Sequence, residues 1–411
     1  MKKIWLLFLL LLIPVVKAEE LPKLYLYGDL TFMSSKEDKR EIEVELVSDE
    51  YNFREKGTIK LQGSSSLDYE KKNYNISFDS EVETSLGSFK KYTLKANWID
   101  ELHIRNLLTA KVVRDINKKY NLFSDTVNYG VTDGFYVEVY NNEDYLGLYA
   151  MNISKKYLFD MKDKEALVIA VKNDVDQVHF LKEENNKWEG FEVEEGEQDQ
   201  DSLDKLNRVI NFVNNSSDRK FKKEFSKYFN LDSALNYYCI MNALSMTDNV
   251  VNNVYLVSYD GDYWYIAFYD MDISWAGTNK QNAIFDYDKD LKKEIDDSRL
   301  WSRFEKAFSK EIKERYKELR EEYLSKDYLI NSYYEYLNKI PNDALERENN
   351  KWNNKVKYDR RFIDEYIPKR LDVLDKKIDG LGYNYDRLLN LFIYIVVVIM
   401  LAWSLFSKKR G

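Results

Sequence analysis

Residues 247–275 read TDNVVNNVYLVSYDGDYWYIAFYDMDISW, and this stretch predicts both a local fold and a chemistry. Two apolar runs flank an Asp-Gly-Asp segment at 260–262, a pattern that predicts a β-hairpin. The hairpin would bring Asn253, which precedes the first run, to the same end as Asp270, which follows the second. Asp248 precedes Asn253 with four residues between them, and it completes the pattern.

This order of polar residues is one that phosphoryl transfer uses. One carboxylate accepts or orients the proton of the nucleophile, while an amide oxygen and a second carboxylate hold magnesium against the phosphates. Asp248, Asn253 and Asp270 supply these groups, and Asp272 adds a further carboxylate. On spacing alone a capped turn followed by a hairpin is the better explanation, because the chain is rich in Asp and Asn.

A second candidate site is the serine-rich segment KLQGSSSLDYEKKNYNISF at residues 60–78. Its glycine and the serines after it leave backbone N–H groups and hydroxyls that can face phosphate oxygens. These residues are Gly63, Ser64, Ser65 and Ser66. Taken alone, the segment is better explained as an ordinary turn between two strands.

A lysine on the strand after this loop would reach the same phosphates as a point charge. Lys71 and Lys72 are neighbours and would point to opposite faces of the strand, so only one of them can serve. Lys72 shares a face with Tyr74 and Ile76, which would carry it inward. We therefore prefer Lys72 over Lys71.

Both segments resemble the CotH family (spore-coat protein H and relatives), an atypical branch of the protein-kinase-like fold. Its members carry Asp-x4-Asn, a strand, a short turn and a W-D-x-D-x-x-[FW]-G-like ending, which YDMDISWAG at 269–277 resembles. Residues 60–78 resemble the family segment R-G-N-S-S-x-x-Y-P-K-K-x-Y-x-[IL]-x-F. Further segments match in the family's order: 97–106, 137–149, 346–352 and 362–370.

The chain departs from the family pattern at several positions. Gln62 replaces the usual Arg of the loop, and Glu70 replaces the usual Pro. Glu143 stands where the hairpin at 137–149 usually has Gly. The acidic residue expected shortly after that hairpin is absent, since Asn152 and its two successors stand there. These changes bear on the shape of the loop and on how a nucleotide base is held.

The resemblance implies an α+β, two-lobed protein-kinase-like fold and roles for the polar residues. Asp248 matches the catalytic Asp, Asn253 and Asp270 match metal ligands, and Asp272 is second in line for the metal. The implied cofactor is Mg²⁺ (or Mn²⁺), with ATP as co-substrate and a protein or surface acceptor. We expect an N-terminal lobe at 19–180, an acidic linker at 181–204 and a C-terminal lobe at 205–387.

Patterning along the chain predicts the order of the elements. Strands are expected within 22–95, then a helix from about Leu102 to Tyr120 and a hairpin near 135–151. The acidic stretch 183–204 reads as a solvated loop or a connection between lobes. Helices are expected at 204–245 and again at 298–380.

The two ends of the chain predict export and anchoring. Residues 1–18 have the basic, apolar and small-residue parts of a signal peptide, with cleavage after Ala18, and a retained signal anchor is the less favoured alternative. Residues 388–406 would form a helix of about 29 Å, long enough to span a membrane. The basic tail 407–411 would then lie in the cytosol and the bulk of the chain outside it. A buried core helix is the alternative for 388–406.

Composition excludes several classes of protein. The formal charge of −9 becomes −15 when the six basic residues of the two ends are removed, which argues against a nucleic-acid partner. Phosphates would need local compensation from Lys72, Arg105 and a metal ion. Cys239 is the only cysteine and lies in an apolar run, so a buried thiol is expected, with neither a disulfide within the chain nor a zinc site. Only two histidines are present, which disfavours Ser-His-Asp and Cys-His hydrolases.

Three functions compete at this point. The first is a membrane-anchored kinase outside the cytosol that transfers the ATP γ-phosphate to a protein hydroxyl. The second is a non-catalytic, pseudokinase-like surface or envelope scaffold. The third and weakest is a glycosidase with Asp270 and Asp272 as paired carboxylates on one strand, since nothing marks a sugar cleft.

Overall fold

The computed structural model describes residues 20–172, 179–184, 187–275, 286–353 and 360–382. The expected signal peptide at 1–18, the expected membrane helix at 388–406 and the tail at 407–411 lie outside these residues. Among the described helices, none is both long and apolar enough to cross a membrane.

The chain folds into two compact units, and the first is a β-barrel. Its described residues fall within Met1–His103, Gly134–Ile153 and Glu335–Val356. Seven strands close in the order β1-β2-β3-β4-β5-β7-β6, with β1 and β6 pairing in parallel. The strands are β1 (Lys23–Tyr27), β2 (Lys39–Val47), β3 (Phe53–Gln62), β4 (Asn73–Thr84), β5 (Gly87–Lys95), β6 (Gly134–Asn141) and β7 (Asp144–Ile153).

Alternation of apolar and polar residues decides which face of each barrel strand is buried. In β2, Ile42, Val44 and Leu46 are buried, while the glutamates between them lie on the other face. The strands predicted within 22–95 and the hairpin near 135–151 are both confirmed.

The second unit combines a four-stranded sheet with most of the helices. Its described residues fall within Ile104–Asp133, Ser154–Tyr334 and Lys357–Gly411. The sheet is antiparallel, in the order β11-β10-β8-β9. Its strands are β8 (Leu167–Val171), β9 (Phe191–Glu195), β10 (Val254–Ser258) and β11 (Trp264–Phe268).

The helices begin after the first five strands and dominate the C-terminal half. They are α1 (Arg105–Lys119), α2 (Gln200–Asn215), α3 (Asp218–Tyr228), α4 (Leu231–Ala243), α5 (Lys292–Asp297), α6 (Arg299–Ala307), α7 (Ser309–Arg320), α8 (Lys326–Asn338), α9 (Asn342–Trp352) and α10 (Ile363–Gly380). Of these, α9 belongs to the first unit, and the last residues of α8 do as well. Side-chain caps begin several helices: Asp199 accepts a hydrogen bond from Ser202 N at α2, and Asn230 accepts one from Ser233 N at α4.

Most sequence-based expectations for the elements are confirmed, with one difference. The α+β class is confirmed, and so are α1 and the helices of 204–245 and 298–380. Cys239 is fully buried in α4, and burial raises the pKa of its thiol to about 12. The acidic stretch is only partly a loop, because Phe191–Glu195 forms the edge strand β9 on β8 and α2 begins at Gln200.

Candidate functional site

The hairpin predicted from 247–275 is present and gathers polar side chains at one end. Strands β10 and β11 pair with Val254 opposite Phe268 at that end. The Tyr269 N–H donates to the Asn253 carbonyl over 3.0 Å, which extends the ladder by one residue pair. Asp270 therefore follows directly from the residue paired with Asn253.

Asp248 lies in a short 3₁₀ turn, Asp248–Val250, beside this hairpin end. The Asn253 Nδ2 donates to Asp248 Oδ2 over 2.5 Å, and the Asn252 Nδ2 donates to Asp248 Oδ1 over 3.2 Å. Both oxygens of the carboxylate thus accept side-chain hydrogen bonds. The structure brings Asp248 and Asn253 together as the spacing predicted.

Electrostatics show that Asp270 belongs to the same cluster. Burial raises the pKa of the Asp248 carboxyl above its usual value, and the negative charge of Asp270 raises it further. The hydrogen bonds from Asn252 and Asn253 act in the opposite direction. A carboxylate with a raised pKa accepts a proton more readily, which suits a group placed near a reacting hydroxyl.

The segment after β11 is irregular. Strand β11 ends at Phe268, so neither Asp270 nor Asp272 lies on it. The glycosidase hypothesis required these two carboxylates to lie on one strand, and that prediction is wrong. Asp270 has a left-handed backbone with φ of 43°, and Met271 after it is buried. Asp272 is half-buried, and the charge of Asp270 acts on Asp248.

Helix α1 supports this segment through residues for which the sequence predicts no role. The Met271 N–H donates to Asn106 Oδ1 over 3.1 Å. Thr109, one turn further along, accepts a hydrogen bond from Trp275 Nε1 over 2.9 Å and lies 2.8 Å from Ser274 Oγ. The available signal was the segment at 97–106, which ends in Asn106.

The prediction that Lys72 lies on the strand after the loop and points inward is wrong, because strand β4 begins only at Asn73. Neither Lys71 nor Lys72 lies on the strand, so alternation does not apply to them. Lys72 is half-buried, and its Nζ donates to the carbonyls of Leu67 and Tyr69 within its own loop. Lys71 is the inward residue, with 1% of its surface exposed.

Lys71 forms a buried ion pair with Glu348 of α9. Its Nζ lies 2.6 Å from Glu348 Oε1 and donates to the carbonyls of Leu148, over 2.5 Å, and Ala96, over 3.2 Å. Burial lowers the pKa of the lysine, and the charge of Glu348 opposes that shift. The Glu348 Oε2 accepts from the Leu148 N–H over 2.6 Å, so both oxygens of this carboxylate are bound.

Gly147 of β7 leaves room for this pair. Its φ is 127°, a conformation that residues with a side chain rarely adopt. A Cβ at this position would lie 2.5 Å from Glu348 Oε2, 2.8 Å from Trp352 Nε1 and 2.9 Å from Lys71 Cε. Its backbone conformation and these close approaches explain why glycine occupies position 147.

The serine-rich loop is a tight turn. Gly63 has φ of 114°, and a Cβ there would lie 1.7 Å from Ser66 Oγ. Ser66 Oγ lies 3.4 Å from the Gln62 carbonyl, whereas Ser64 and Ser65 are exposed. Hydroxyl donors are therefore present on the surface of the loop.

The remaining candidate, Arg105, is the first residue of α1 and is buried. It belongs to the second unit with Asp248, Asn253 and Asp270, whereas Gly63–Ser66 and the two lysines belong to the first. Asn152, in the place of the expected acidic residue, is buried near the end of β7.

The donor set of the hairpin end suits a hard divalent cation. Mg²⁺ prefers oxygen ligands, and the Asp270 carboxylate and the Asn253 amide oxygen are of that kind. Because the nitrogen of the Asn253 amide donates to Asp248, the oxygen is the atom through which this residue would bind a cation. Among the described residues, no group of three or more His, Cys, Asp and Glu side chains is placed to hold a metal. A site here would combine the Asp270 carboxylate with the Asn253 amide oxygen, with Asp272 second in line.

Kinases hold phosphates through a metal ion bound to Asp and Asn side chains, and this cluster has the same types of residue. The family model described as CotH kinase protein matches residues 59–374, so the chain belongs to the CotH kinase family. Membership of a kinase family implies, in general, that ATP is the substrate and a divalent metal the cofactor. No protein among the curated ones matches the chain.

Proposed function

We propose that the chain is a kinase that transfers the γ-phosphate of ATP to a protein hydroxyl with Mg²⁺ or Mn²⁺. The observation that carries the proposal is the cluster of Asp248, Asn253 and Asp270 at one hairpin end in a chain of the CotH kinase family.

The roles follow from the chemistry of each group. Asp248, with its raised pKa, orients the acceptor hydroxyl and takes its proton. The hydroxyl oxygen forms a bond to the γ-phosphorus as the bond from that phosphorus to the β,γ-bridging oxygen breaks, and ADP leaves. Asn253 and Asp270 would hold the metal, with Asp272 second in line. The metal, when bound, neutralises charge on the phosphate oxygens.

On the phosphate side, we assign to Lys71 the role that the sequence gave to Lys72. A buried Lys–Glu ion pair is a part that protein kinases require in place for activity. Lys71 has three N–H donors, and Glu348, Leu148 and Ala96 accept from them. Contact with a phosphate would therefore need Lys71 to exchange a backbone carbonyl for a phosphate oxygen. The exposed hydroxyls of Ser64 and Ser65 would add neutral donors, and Arg105 would add positive charge.

The second candidate is the non-catalytic, pseudokinase-like scaffold. The saturation of Lys71 by protein acceptors favours it, as do Gln62 and Glu70 in the loop. In that case the Lys71–Glu348 pair holds α9 on the barrel and serves no ligand.

Location is part of the proposal. Export through residues 1–18 and a single membrane helix at 388–406 would place the kinase at the cell surface with its C-terminus in the cytosol. Protease added to intact cells should then degrade the bulk of the chain and spare a C-terminal tag. Release of the intact chain into the medium would contradict anchoring.

The deciding experiment incubates the purified protein with labelled ATP, a mixture of acceptor proteins, and Mg²⁺ or Mn²⁺. Asp270→Ala should abolish metal-dependent nucleotide binding because a charged ligand is lost. Asp248→Asn should leave binding nearly intact while slowing transfer, because only the group that orients the hydroxyl changes. Asn253→Ala should fall between these, and Asp272→Ala should cost less than Asp270→Ala. If the parent binds ATP with metal but neither it nor any variant transfers phosphate, the scaffold takes the place of the kinase.

A further inference from the structure

The residue after Asp248 holds the two metal-ligand segments together. Asn249 is fully buried, and its Nδ2 donates to two carbonyls, that of Asn253 over 3.2 Å and that of Tyr269 over 2.9 Å. The first carbonyl belongs to a proposed metal ligand, and the second belongs to the residue immediately before Asp270. One side-chain amide thus links both strands where their ladder ends.

The linked backbone has an uncommon conformation. Asn253 has φ of 52° and Asp270 has φ of 43°, both in the left-handed region. Asparagine and aspartate adopt that region more readily than most residues, but any residue other than glycine needs support from its surroundings to persist there. The Asn249 amide gives that support on one side, and the hydrogen bond from Met271 N–H to Asn106 gives it on the other.

Asn249 is itself fixed by an aromatic stack. The backbone carbonyl of Asn249 accepts a hydrogen bond from the Tyr237 hydroxyl over 2.6 Å. The Tyr237 ring stacks on Phe268 at 3.8 Å between centroids and on Trp301 at 5.3 Å. Trp301 Nε1 donates to the Val250 carbonyl over 3.0 Å. The backbone that carries the Asn249 amide is therefore attached to the packed core of the second unit.

We propose that Asn249 is a positioning residue that sets the separation of the Asn253 and Asp270 side chains and thereby the affinity for the divalent metal. It rests on the proposed function, since it assumes that these two residues bind the metal. Residues that orient metal ligands typically change metal affinity by about 10- to 100-fold when they are replaced. A purely structural role would instead lower stability and leave the affinity unchanged.

The test is a titration of the full chain with Mn²⁺ and a non-hydrolysable ATP analogue, read as the rise of the melting temperature. Asn249→Asp keeps the shape but replaces both N–H donors with an anion that faces two carbonyls. We expect it to raise the half-saturating Mn²⁺ concentration about tenfold or more. The matched control is Asn242→Asp, because Asn242 is fully buried in the same unit and its Nδ2 donates only to the Tyr238 carbonyl in the bonds of the described structure. Asn242 Oδ1 accepts a hydrogen bond from Lys377 Nζ over 3.1 Å, so the new charge has a cationic partner, and the variant should fold without changing the Mn²⁺ requirement.

The outcomes distinguish a failure of the role proposed for Asn249 from a failure of the proposed kinase function. An unchanged Mn²⁺ requirement in Asn249→Asp, or an equal change in Asn242→Asp, overturns the inference while leaving the kinase intact. A parent protein that binds no Mn²⁺ with the analogue overturns the proposed function and the inference with it. If Asn249→Asp does not fold, Asn249→Ser, which keeps a short polar group, is titrated in its place. If neither folds while Asn242→Asp does, the role of Asn249 is structural and the positioning role is refuted.

Discussion

Replacing Glu348 with Gln tests whether burial of the Lys71–Glu348 ion pair makes that pair important for the stability of the barrel unit. The side chains of Lys71 and Glu348 are 0% and 2% exposed, and their charged atoms lie 2.6 Å apart. Glu348→Gln keeps the shape but leaves the Lys71 charge buried among three neutral acceptors, with no counter-charge. Removal of one partner from a buried pair costs about 3–5 kcal/mol of the free energy of unfolding. Because an amide nitrogen would also face the Leu148 N–H, we expect the upper half of that range.

The assay is urea unfolding at neutral pH, with a control pair in the same unit. Arg54 and Glu43 also lie 2.6 Å apart, but their side chains are 55% and 34% exposed. Glu43→Gln should cost much less than Glu348→Gln because water screens the exposed pair. The double change Lys71→Met with Glu348→Leu should cost less than Glu348→Gln alone, since no charge stays buried. Equal costs for Glu348→Gln and Glu43→Gln would refute the reasoning.

Two further predictions concern stability at positions tied to the site. Gly147→Ala should lower the melting temperature much more than Gly87→Ala, although both glycines have a positive φ. A Cβ at Gly147 would lie 2.5 Å from Glu348 Oε2, whereas a Cβ at Gly87 would lie 3.4 Å from its nearest atom. Similar melting temperatures for the two variants would contradict this. Asp248→Asn should raise the melting temperature of the metal-free protein, relative to the parent, more at pH 7 than at pH 3, although the new amide nitrogen faces the Asn252 or Asn253 Nδ2 at either pH. The folded pKa of Asp248 is raised, so its charged form is disfavoured by folding, and this part of the gain should vanish below pH about 4, where the carboxyl is protonated in both states. A difference from the parent that is the same at pH 3 as at pH 7 would contradict the electrostatic cause.

The parts that the sequence predicted are those decided by local patterns. The hairpin of 247–275 follows from two apolar runs and a turn, in which Asp260 Oδ1 accepts hydrogen bonds from the N–H groups of Asp262 and Tyr263. The approach of Asn253 to Asp270 then follows from strand pairing alone. No information from distant parts of the chain was needed.

The parts that were missed depend on residues far apart in sequence. Choosing between Lys71 and Lys72 required the start of β4 and the position of Glu348, which is 277 residues beyond Lys71. Strand β9 was hidden because the acidic composition of the stretch outweighed the short alternation from Phe191 to Val193, and only pairing with β8 makes it a strand.

Backbone conformation bears on the choice between a kinase and a scaffold. Asp270 and Trp275 have left-handed φ values of 43° and 54° within six residues of each other. Such conformations cost on the order of 1–3 kcal/mol each for residues other than Gly, with Asn and Asp tolerating them best, and they persist only where the surroundings impose them. Here Asn106 binds the Met271 N–H, and Trp275 is held by Thr109 and by the Leu244 carbonyl, over 2.7 Å. A binding surface for partner proteins needs no strained backbone beneath a pair of carboxylates, whereas a metal site needs its ligands fixed at set distances. The hydrogen bonds that fix the backbone on both sides of Asp270 therefore favour the kinase.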